Sequence, residues 1–162
     1  MKTSIAVIYQ PELLKDNDIA HDVIQGITSE QVNVVAFTVA NALASLNELD
    51  QFDGLVFGTL SGEFFSSGEM DAFILATVEK SESGSWRDKI ASAFPSSLSL
   101  TAETMPFMLR LSIFCARHNM IWVEDGAFHD PDMPACEYET PSPGFEYGQR
   151  IARVTKQWMP AD

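Results

Sequence analysis

The densest group of side chains that could bind a metal ion lies in the last third of the chain. It consists of His129, Asp130, Asp132, Cys136 and Glu137. These are hard and borderline ligands, but their order matches no recognised zinc spacing. Pro131 and Pro134 interrupt the segment and favour a surface loop. We therefore predict no metal site.

Candidates for nucleophilic or acid–base catalysis are equally weak. Cys115 and Cys136 do not form a Cys-x-x-Cys pair, and Cys115 lies in an apolar helical run that favours a buried, reduced thiol. His21 and His118 fall on predicted helices, where a surface or capping role is expected. The sequence contains no Gly-x-Ser-x-Gly, phosphate-loop or dinucleotide-binding glycine motif. We therefore predict no catalytic side chain.

Short apolar runs alternate with helical patterns along the chain. Predicted strands cover residues 4–9, 32–37, 54–59, 89–94 and 120–123. Predicted helices cover residues 18–28, 40–49, 67–79, the segment between Thr104 and Asn119, and 144–158. The second helix is weakly predicted: either Asn41 caps it or the segment is irregular. Asn119 is expected to take a left-handed conformation after the fourth helix.

Apolar strands joined by helices predict a parallel sheet that is covered on both faces, which is a three-layer α/β sandwich. We assign residues 1–162 to a single domain, because this length suits one core. Ligands of such sheets bind beyond the carboxyl ends of the strands, where the strand order reverses. The segments expected to form a binding site are therefore 9–18, 59–68 and 95–104.

Four segments of the chain carry motifs that occur in the same order in a known protein superfamily. They are Phe52–Thr59 with Gly62 and Phe64-Phe65 after it, Trp86–Phe94, His118–Met120, and the helical segment Tyr147–Trp158. In content and order these segments resemble the flavodoxin-like superfamily. Within it, they are most similar to the NAD(P)H:quinone oxidoreductases of the tryptophan-repressor-binding-protein type.

This resemblance implies a flavodoxin-like sheet in the order 2-1-3-4-5, with FMN held by three loops at the strand ends. A bound flavin supplies the redox chemistry, so the family needs no catalytic side chain. Carried over to this chain, the resemblance implies a set of cofactor-binding residues: Gln10, Thr59, Leu60, Ser61, Gly62, Glu63, Phe64, Phe65, Trp86, Ser96, Ser97, Leu98 and Ser99. For Trp86, a place at a rim or an interface is the alternative.

The first of the three loops departs from the family pattern, in which glycine and hydroxyl residues surround the FMN phosphate. Residues 10–18 contain neither, and Pro11 lacks an N–H donor. Carboxylates at Glu12, Asp16 and Asp18 would repel a phosphate. One carboxylate at about 5 Å costs roughly 3 kcal/mol at an effective dielectric near 20. We therefore expect FMN to bind weakly or not at all.

The net charge and the apolar runs of the sequence argue against several classes of function. Ten Lys and Arg against 23 Asp and Glu give a formal net charge of −13, which disfavours nucleic-acid binding. No apolar run approaches the roughly 18 residues of a membrane span. The apolar stretch near the N-terminus is too short for the core of a signal peptide, so a cytoplasmic location is expected.

Two functions stay open at this point. One is a divergent flavoprotein that binds FMN and transfers electrons from NAD(P)H to a quinone-like acceptor. The alternative is a cofactor-free flavodoxin-fold protein that acts in binding or as a scaffold, without redox activity. A further hypothesis is that the same crevice binds a planar small molecule other than a flavin. The resemblance also implies a homodimer or homotetramer, for which Trp122, Phe128 and Trp158 offer large aromatic side chains.

Overall fold

A five-stranded parallel sheet forms the centre of the protein in the computed structural model, which describes residues 2–11, 19–59, 68–95, 104–124 and 142–159. The strands are β1 (Ser4–Tyr9), β2 (Asn33–Thr38), β3 (Gly54–Thr59), β4 (Ile90–Pro95) and β5 (Ile121–Trp122). They are ordered β2-β1-β3-β4-β5, and every neighbouring pair is parallel. The predicted order and the predicted strands are confirmed, with bounds that shift by a residue or two.

Six helices lie in the described residues. They are α1 (Ile19–Ser29), α2 (Val39–Ala44), α3 (Gly68–Ala76), α4 (Val78–Ser83), α5 (Met105–Arg117) and α6 (Pro143–Trp158), with a short 3₁₀ turn at Glu48–Gln51 between α2 and β3. No helix among these is long and apolar enough to cross a membrane.

The helices cover the two faces of the sheet with two separate apolar cores. On one face, alternate strand residues such as Ile5 and Val56 pack with α1 and α6. On the other face, their neighbours Ala6 and Leu55 pack with α2, α3 and α5. This alternation follows from the pleat of a strand, which points successive side chains to opposite faces. The three-layer α/β sandwich is therefore confirmed.

Two helices differ from their predicted form. The N-cap of α2 is Thr38, whose hydroxyl accepts a hydrogen bond of 3.1 Å from the amide of Asn41, so the prediction of Asn41 as the cap was wrong. The helix predicted over 67–79 is divided at Thr77, whose backbone leaves the helical conformation and whose hydroxyl donates to the carbonyl of Ile74. Local hydroxyl-to-backbone bonds compete with the helix in this way.

The helices α1 and α6 approach each other at a seam of glycines. A β-carbon on Gly26 would overlap the backbone carbonyl of Phe145, and one on Gly148 would overlap the carbonyl of Val23. Gly144 also lies against α1, near Ile19. Only residues without a side chain allow two backbones to come this close.

Candidate functional site at the carboxyl edge of the sheet

Three neighbouring strands end at the same level. Gly58 of β3 lies opposite Tyr9 of β1 on one side and opposite Phe94 of β4 on the other. The amide of Gln10 donates to the carbonyl of Gly58 over 3.3 Å, which extends the pairing of β1 and β3 beyond the last strand residue. Because neighbouring strands are about 4.8 Å apart, the segments that follow β1, β3 and β4 begin within about 10 Å of one another.

The strand order reverses at the same place. The connection from β1 through α1 leads to β2 on one side of β1, whereas β3 lies on its other side. The helix after β1 and the helices after β3 and β4 consequently cover opposite faces of the sheet. In an open α/β sheet, helices that diverge to opposite faces in this way leave a crevice at the carboxyl edge, which is the usual ligand site.

The floor of this crevice is well packed. Tyr9, Gln10 and Phe94 are all buried, and the ring of Phe94 meets that of Tyr147 edge to face with centroids 6.0 Å apart. Thr104, the first described residue after the β4 loop, is also buried. The carboxyl ends of β1, β3 and β4 therefore lie on a buried, closely packed layer.

Of the predicted site residues, the structure describes Gln10, the backbone of Thr59, and Trp86. It brings Gln10 and Thr59 to the same edge, since Gln10 follows the Tyr9–Gly58 pair and Thr59 is the next residue along β3. The remaining predicted residues lie outside the described part of the chain: Leu60, Ser61, Gly62, Glu63, Phe64, Phe65, Ser96, Ser97, Leu98 and Ser99. Glu12, Asp16 and Asp18 of the first loop and the segment 129–137 lie outside it as well.

Trp86 is not part of this crevice, and the prediction that it lies near the flavin was wrong. It precedes β4, at the amino edge of the sheet, and its side chain is fully buried. Its ring stacks on Phe73 and lies 4.8 Å from the ring of His118, centroid to centroid. The sequence pattern reproduced the family motif, but the indole fills the core beneath α3 and α5.

A network of charged side chains surrounds Trp86 at the amino edge. Its indole N–H donates to Oδ1 of Asp50 over 2.9 Å, and Oδ2 of Asp50 accepts from Lys80 over 2.6 Å. The ammonium of Lys89 donates to the backbone carbonyls of Asp50, over 2.8 Å, and of Phe52. Burial lowers the pKa of Lys89, while the carboxylates of Asp53 and Asp50 oppose that shift. Each buried polar group named here has a partner, so the network is structural.

Other titratable groups with shifted pKa values also lie away from the crevice. Burial raises the pKa of the Cys115 thiol well above its usual range, and this cysteine is fully buried in α5, as predicted. His118 is the C-cap residue of α5, which confirms the predicted capping role. Its side chain is buried, so it is not a surface histidine. His21 is exposed and bonds to Gln25. In the described part of the chain, the groups with shifted pKa values therefore lie away from the carboxyl ends of β1, β3 and β4.

Comparison with known proteins agrees with this architecture. No protein-family model matches the chain, and no curated protein matches its sequence. Among solved structures, a flavodoxin, WrbA-like protein from Agrobacterium tumefaciens is similar, with a TM-score of 0.72 and 22% identity over 96% of this chain and 99% of that one. A diflavin flavoprotein A3 from Nostoc sp. has a TM-score of 0.58 and 21% identity, covering 98% of this chain and 96% of that chain.

A flavodoxin from the domain Archaea gives a TM-score of 0.59 at 15% identity, over 95% of this chain and 99% of that chain. Identities this low say nothing about individual site residues. The likeness extends over nearly the whole of each chain, however, and it includes the sheet order and the helices on both faces. The chain has the flavodoxin-like fold, as the sequence motifs predicted.

Proposed function

We propose that the protein binds a flavin, FMN, in the crevice at the carboxyl edge of β1, β3 and β4. The observation that supports this most directly is the alignment of Tyr9, Gly58 and Phe94 in one row. Because these residues end their strands side by side, the three predicted binding loops begin next to one another, at the point where the strand order reverses. The structural neighbours include proteins described as flavodoxins and as a diflavin flavoprotein, which supports the same ligand.

The residues fit one part of the cofactor better than the other. Beyond the buried floor, the loop of Thr59–Phe65 offers backbone groups and two phenyl rings to a planar ring system, and Ser96–Ser99 offer hydroxyls. The phosphate is poorly matched by residues 10–18, which provide no hydroxyl and three carboxylates, against which Lys15 offsets only part of the repulsion. The protein is therefore expected to hold FMN mainly by its ring.

The proposed activity is electron transfer from NAD(P)H to a quinone-like acceptor. A flavin supplies the redox chemistry when bound. The chain's own contribution is to orient the ring and to exclude water from its buried side, for which the packed floor of Tyr9, Gln10 and Phe94 is suited. The alternative, a cofactor-free binding or scaffold protein, draws its support from the acidic first loop.

Assembly into a homodimer or homotetramer is also proposed. Trp158 is 61% exposed at the end of α6, and such an exposed aromatic suits a contact between copies. Trp122 is less suited, because it packs against the core beneath β4, and Phe128 lies outside the described residues. A strict monomer in sedimentation at tens of micromolar would reject this assembly.

Titration of FMN and of riboflavin into the purified protein tests the flavin proposal. Quenching of flavin fluorescence is expected for both, with a micromolar dissociation constant for FMN, several kcal/mol weaker than nanomolar binding. Reduction of a benzoquinone by NADH or NADPH in the presence of excess FMN then tests electron transfer. If neither flavin is quenched, the cofactor-free alternative replaces the proposal.

A further inference from the structure

A cavity lies between α3–α4 and α5, among the helices that cover one face of the sheet. Its volume is about 170 Å³. Basic and apolar residues alternate along its α5 side, which consists of Arg110, Ile113, Phe114, Arg117 and His118. Ile74, Val78 and Ser81 line the side formed by α3 and α4. The cavity therefore places basic and apolar groups next to each other.

Its charge is the reverse of the charge of the whole chain. The protein has 23 acidic and ten basic residues, yet the described lining contains two arginines and no carboxylate. Arg110 forms an ion pair with Asp71 of α3. Arg117 has no ion pair within the described part of the chain, although it is exposed beside the cavity. One cation of the cavity is thus left without a counter-ion.

His118 adds a second unsatisfied group. Its side chain is 3% exposed, and its Nδ1 has no hydrogen-bond partner among the described residues. Burial lowers the pKa of this imidazole, and the neighbouring Arg117 guanidinium lowers it further. The ring lies between Trp86 and Phe114, with centroid distances of 4.8 and 4.7 Å. Two basic groups thus lie close together, and neither forms an ion pair with a described residue, an arrangement that an anionic ligand would stabilise.

The size of the cavity limits the ligand. An apolar protein cavity of about 150 Å³ accommodates benzene. At about 170 Å³, this cavity has room for one six-membered ring with a small substituent. The ring of Phe114 and the branched side chains of Ile74 and Ile113 would contact such a ring. Inorganic phosphate would leave this apolar wall uncovered.

We propose that this cavity binds a small aromatic carboxylate, with its ring against Phe114, Ile74 and Ile113 and its carboxylate at the guanidinium of Arg117. A carboxylate accepts two parallel hydrogen bonds from an arginine, which gives the orientation. The cavity borders the amino-edge core that contains Trp86 and His118, whereas the proposed flavin site lies at the carboxyl edge. The two sites therefore share no described residue.

Benzoate is the probe, and benzamide, of nearly the same shape but neutral, is its control. Benzoate is expected to shift the NMR signals of the His118 ring in a saturable way. Benzamide should bind about tenfold more weakly, because it lacks the charge that strengthens the hydrogen bonds to Arg117. Equal affinity for the two probes would overturn the proposal in favour of a merely apolar cavity, and phosphate binding as tightly as benzoate would reduce it to a general anion site.

Two variants separate the two parts of the site. Arg117→Gln should weaken benzoate about tenfold and leave benzamide unchanged. Arg150→Gln, which removes an exposed arginine from α6, is the matched control and should leave benzoate binding intact. Val78→Trp, at a lining position that is 42% exposed, should fill the cavity and abolish the binding of both probes.

An equal loss in Arg150→Gln would show that only overall charge matters. Unchanged His118 signals at saturating benzoate would also overturn the proposal. Flavin titrations of the same samples keep the two sites apart, because failure at the carboxyl edge leaves the benzoate result unaffected.

Discussion

The indole nitrogen of Trp86 and the Oδ1 atom of Asp50 are 2.9 Å apart and joined by a hydrogen bond. The two residues belong to loops that enter different strands, β4 and β3. The same carboxylate accepts from Lys80, so a single acidic side chain links the 3₁₀ turn before β3, helix α4 and the turn before β4. One charged, half-buried side chain therefore ties together three segments at the amino edge of the sheet.

Replacement of Trp86 by Phe should destabilise the fold without affecting a flavin. The variant removes the indole donor from Asp50 and leaves a gap beside Phe73, so we expect a loss of about 1–3 kcal/mol in the free energy of unfolding. Urea unfolding followed by circular dichroism measures it. Leu75→Ala, at a side chain that is 72% exposed, is the control and should change stability by less than about 0.5 kcal/mol.

The same variant, Trp86→Phe, also tests whether the indole lies away from the proposed flavin site. Its affinity for riboflavin should equal that of the wild type, because the indole lies at the edge opposite the crevice. A several-fold weaker affinity in a variant that is still folded would show that Trp86 does contact the flavin.

The glycine seam between α1 and α6 predicts a strong effect of a single methyl group. Gly148→Ala would drive a β-carbon into the backbone of Val23, and neither helix can move without disturbing the core. We expect a loss of about 3 kcal/mol or more in the free energy of unfolding. Gly68→Ala, in α3, places its methyl group in open space and should be neutral or stabilise by up to about 1 kcal/mol. Similar stabilities for the two variants would contradict the close contact.

His118 predicts how stability depends on pH. Because the folded state lowers its pKa, the unfolded chain binds more protons below the usual value of 6.5. Stability is therefore lost as the pH falls through 6.5 towards the folded pKa, and it is fully present above 6.5. His118→Phe should remove this part of the acid destabilisation, while keeping a ring between Trp86 and Phe114.

Urea midpoints one pH unit above and one below 6.5 measure the effect. The wild type should lose more stability between these two values than His118→Phe does, whereas His21→Phe, on the exposed side of α1, should behave as the wild type. The same slope in wild type and His118→Phe would show that another group is responsible.

The charge of the first loop predicts a difference between two flavins. In Glu12→Ser with Asp16→Thr, two carboxylates that would face the phosphate are removed, so FMN should bind more tightly by an order of magnitude or more. Riboflavin lacks the phosphate and should gain little. Fluorescence quenching with both flavins measures the difference.

A second double variant serves as the matched control. Phe64→Ala with Phe65→Ala should weaken both flavins equally, since it removes contacts with the ring system, worth about 1–3 kcal/mol. Equal gains for both flavins in the first variant would show that phosphate repulsion does not limit FMN binding.

Periodicity was sufficient to predict the sheet, because strands buried on both faces are apolar along nearly their whole length, as Ile5–Ile8 is and as Ile90–Phe94 is apart from Ser92. It was insufficient for residues whose role depends on distant partners. Trp86 belongs to the motif segment 86–94, but Asp50 determines where its indole N–H points. The cap of α2 was misplaced by three residues because Thr38 ends β2 and begins α2 at once.

His118 illustrates the same limit. Its position at the end of a predicted helix indicated a cap, which is correct. Its burial depends on Trp86 and Phe114, and its place in a cavity depends on α3 and α4, so neither could be read from the local sequence. An isolated arginine near the helix end, Arg117, was the only signal that the sequence offered for that site.

The contact of Gly26 with α6 also constrains the order in which the protein can mature on the ribosome. Helix α1 is made early, but the apolar side chains of Val23 and Ile27 gain their cover only when residues 143–158 have been synthesised. At about 5–20 residues per second, that interval is of the order of ten seconds. During it, one face of the nascent sheet has half of its helical layer, so this face is the part of the chain that a chaperone or an aggregating neighbour would meet first.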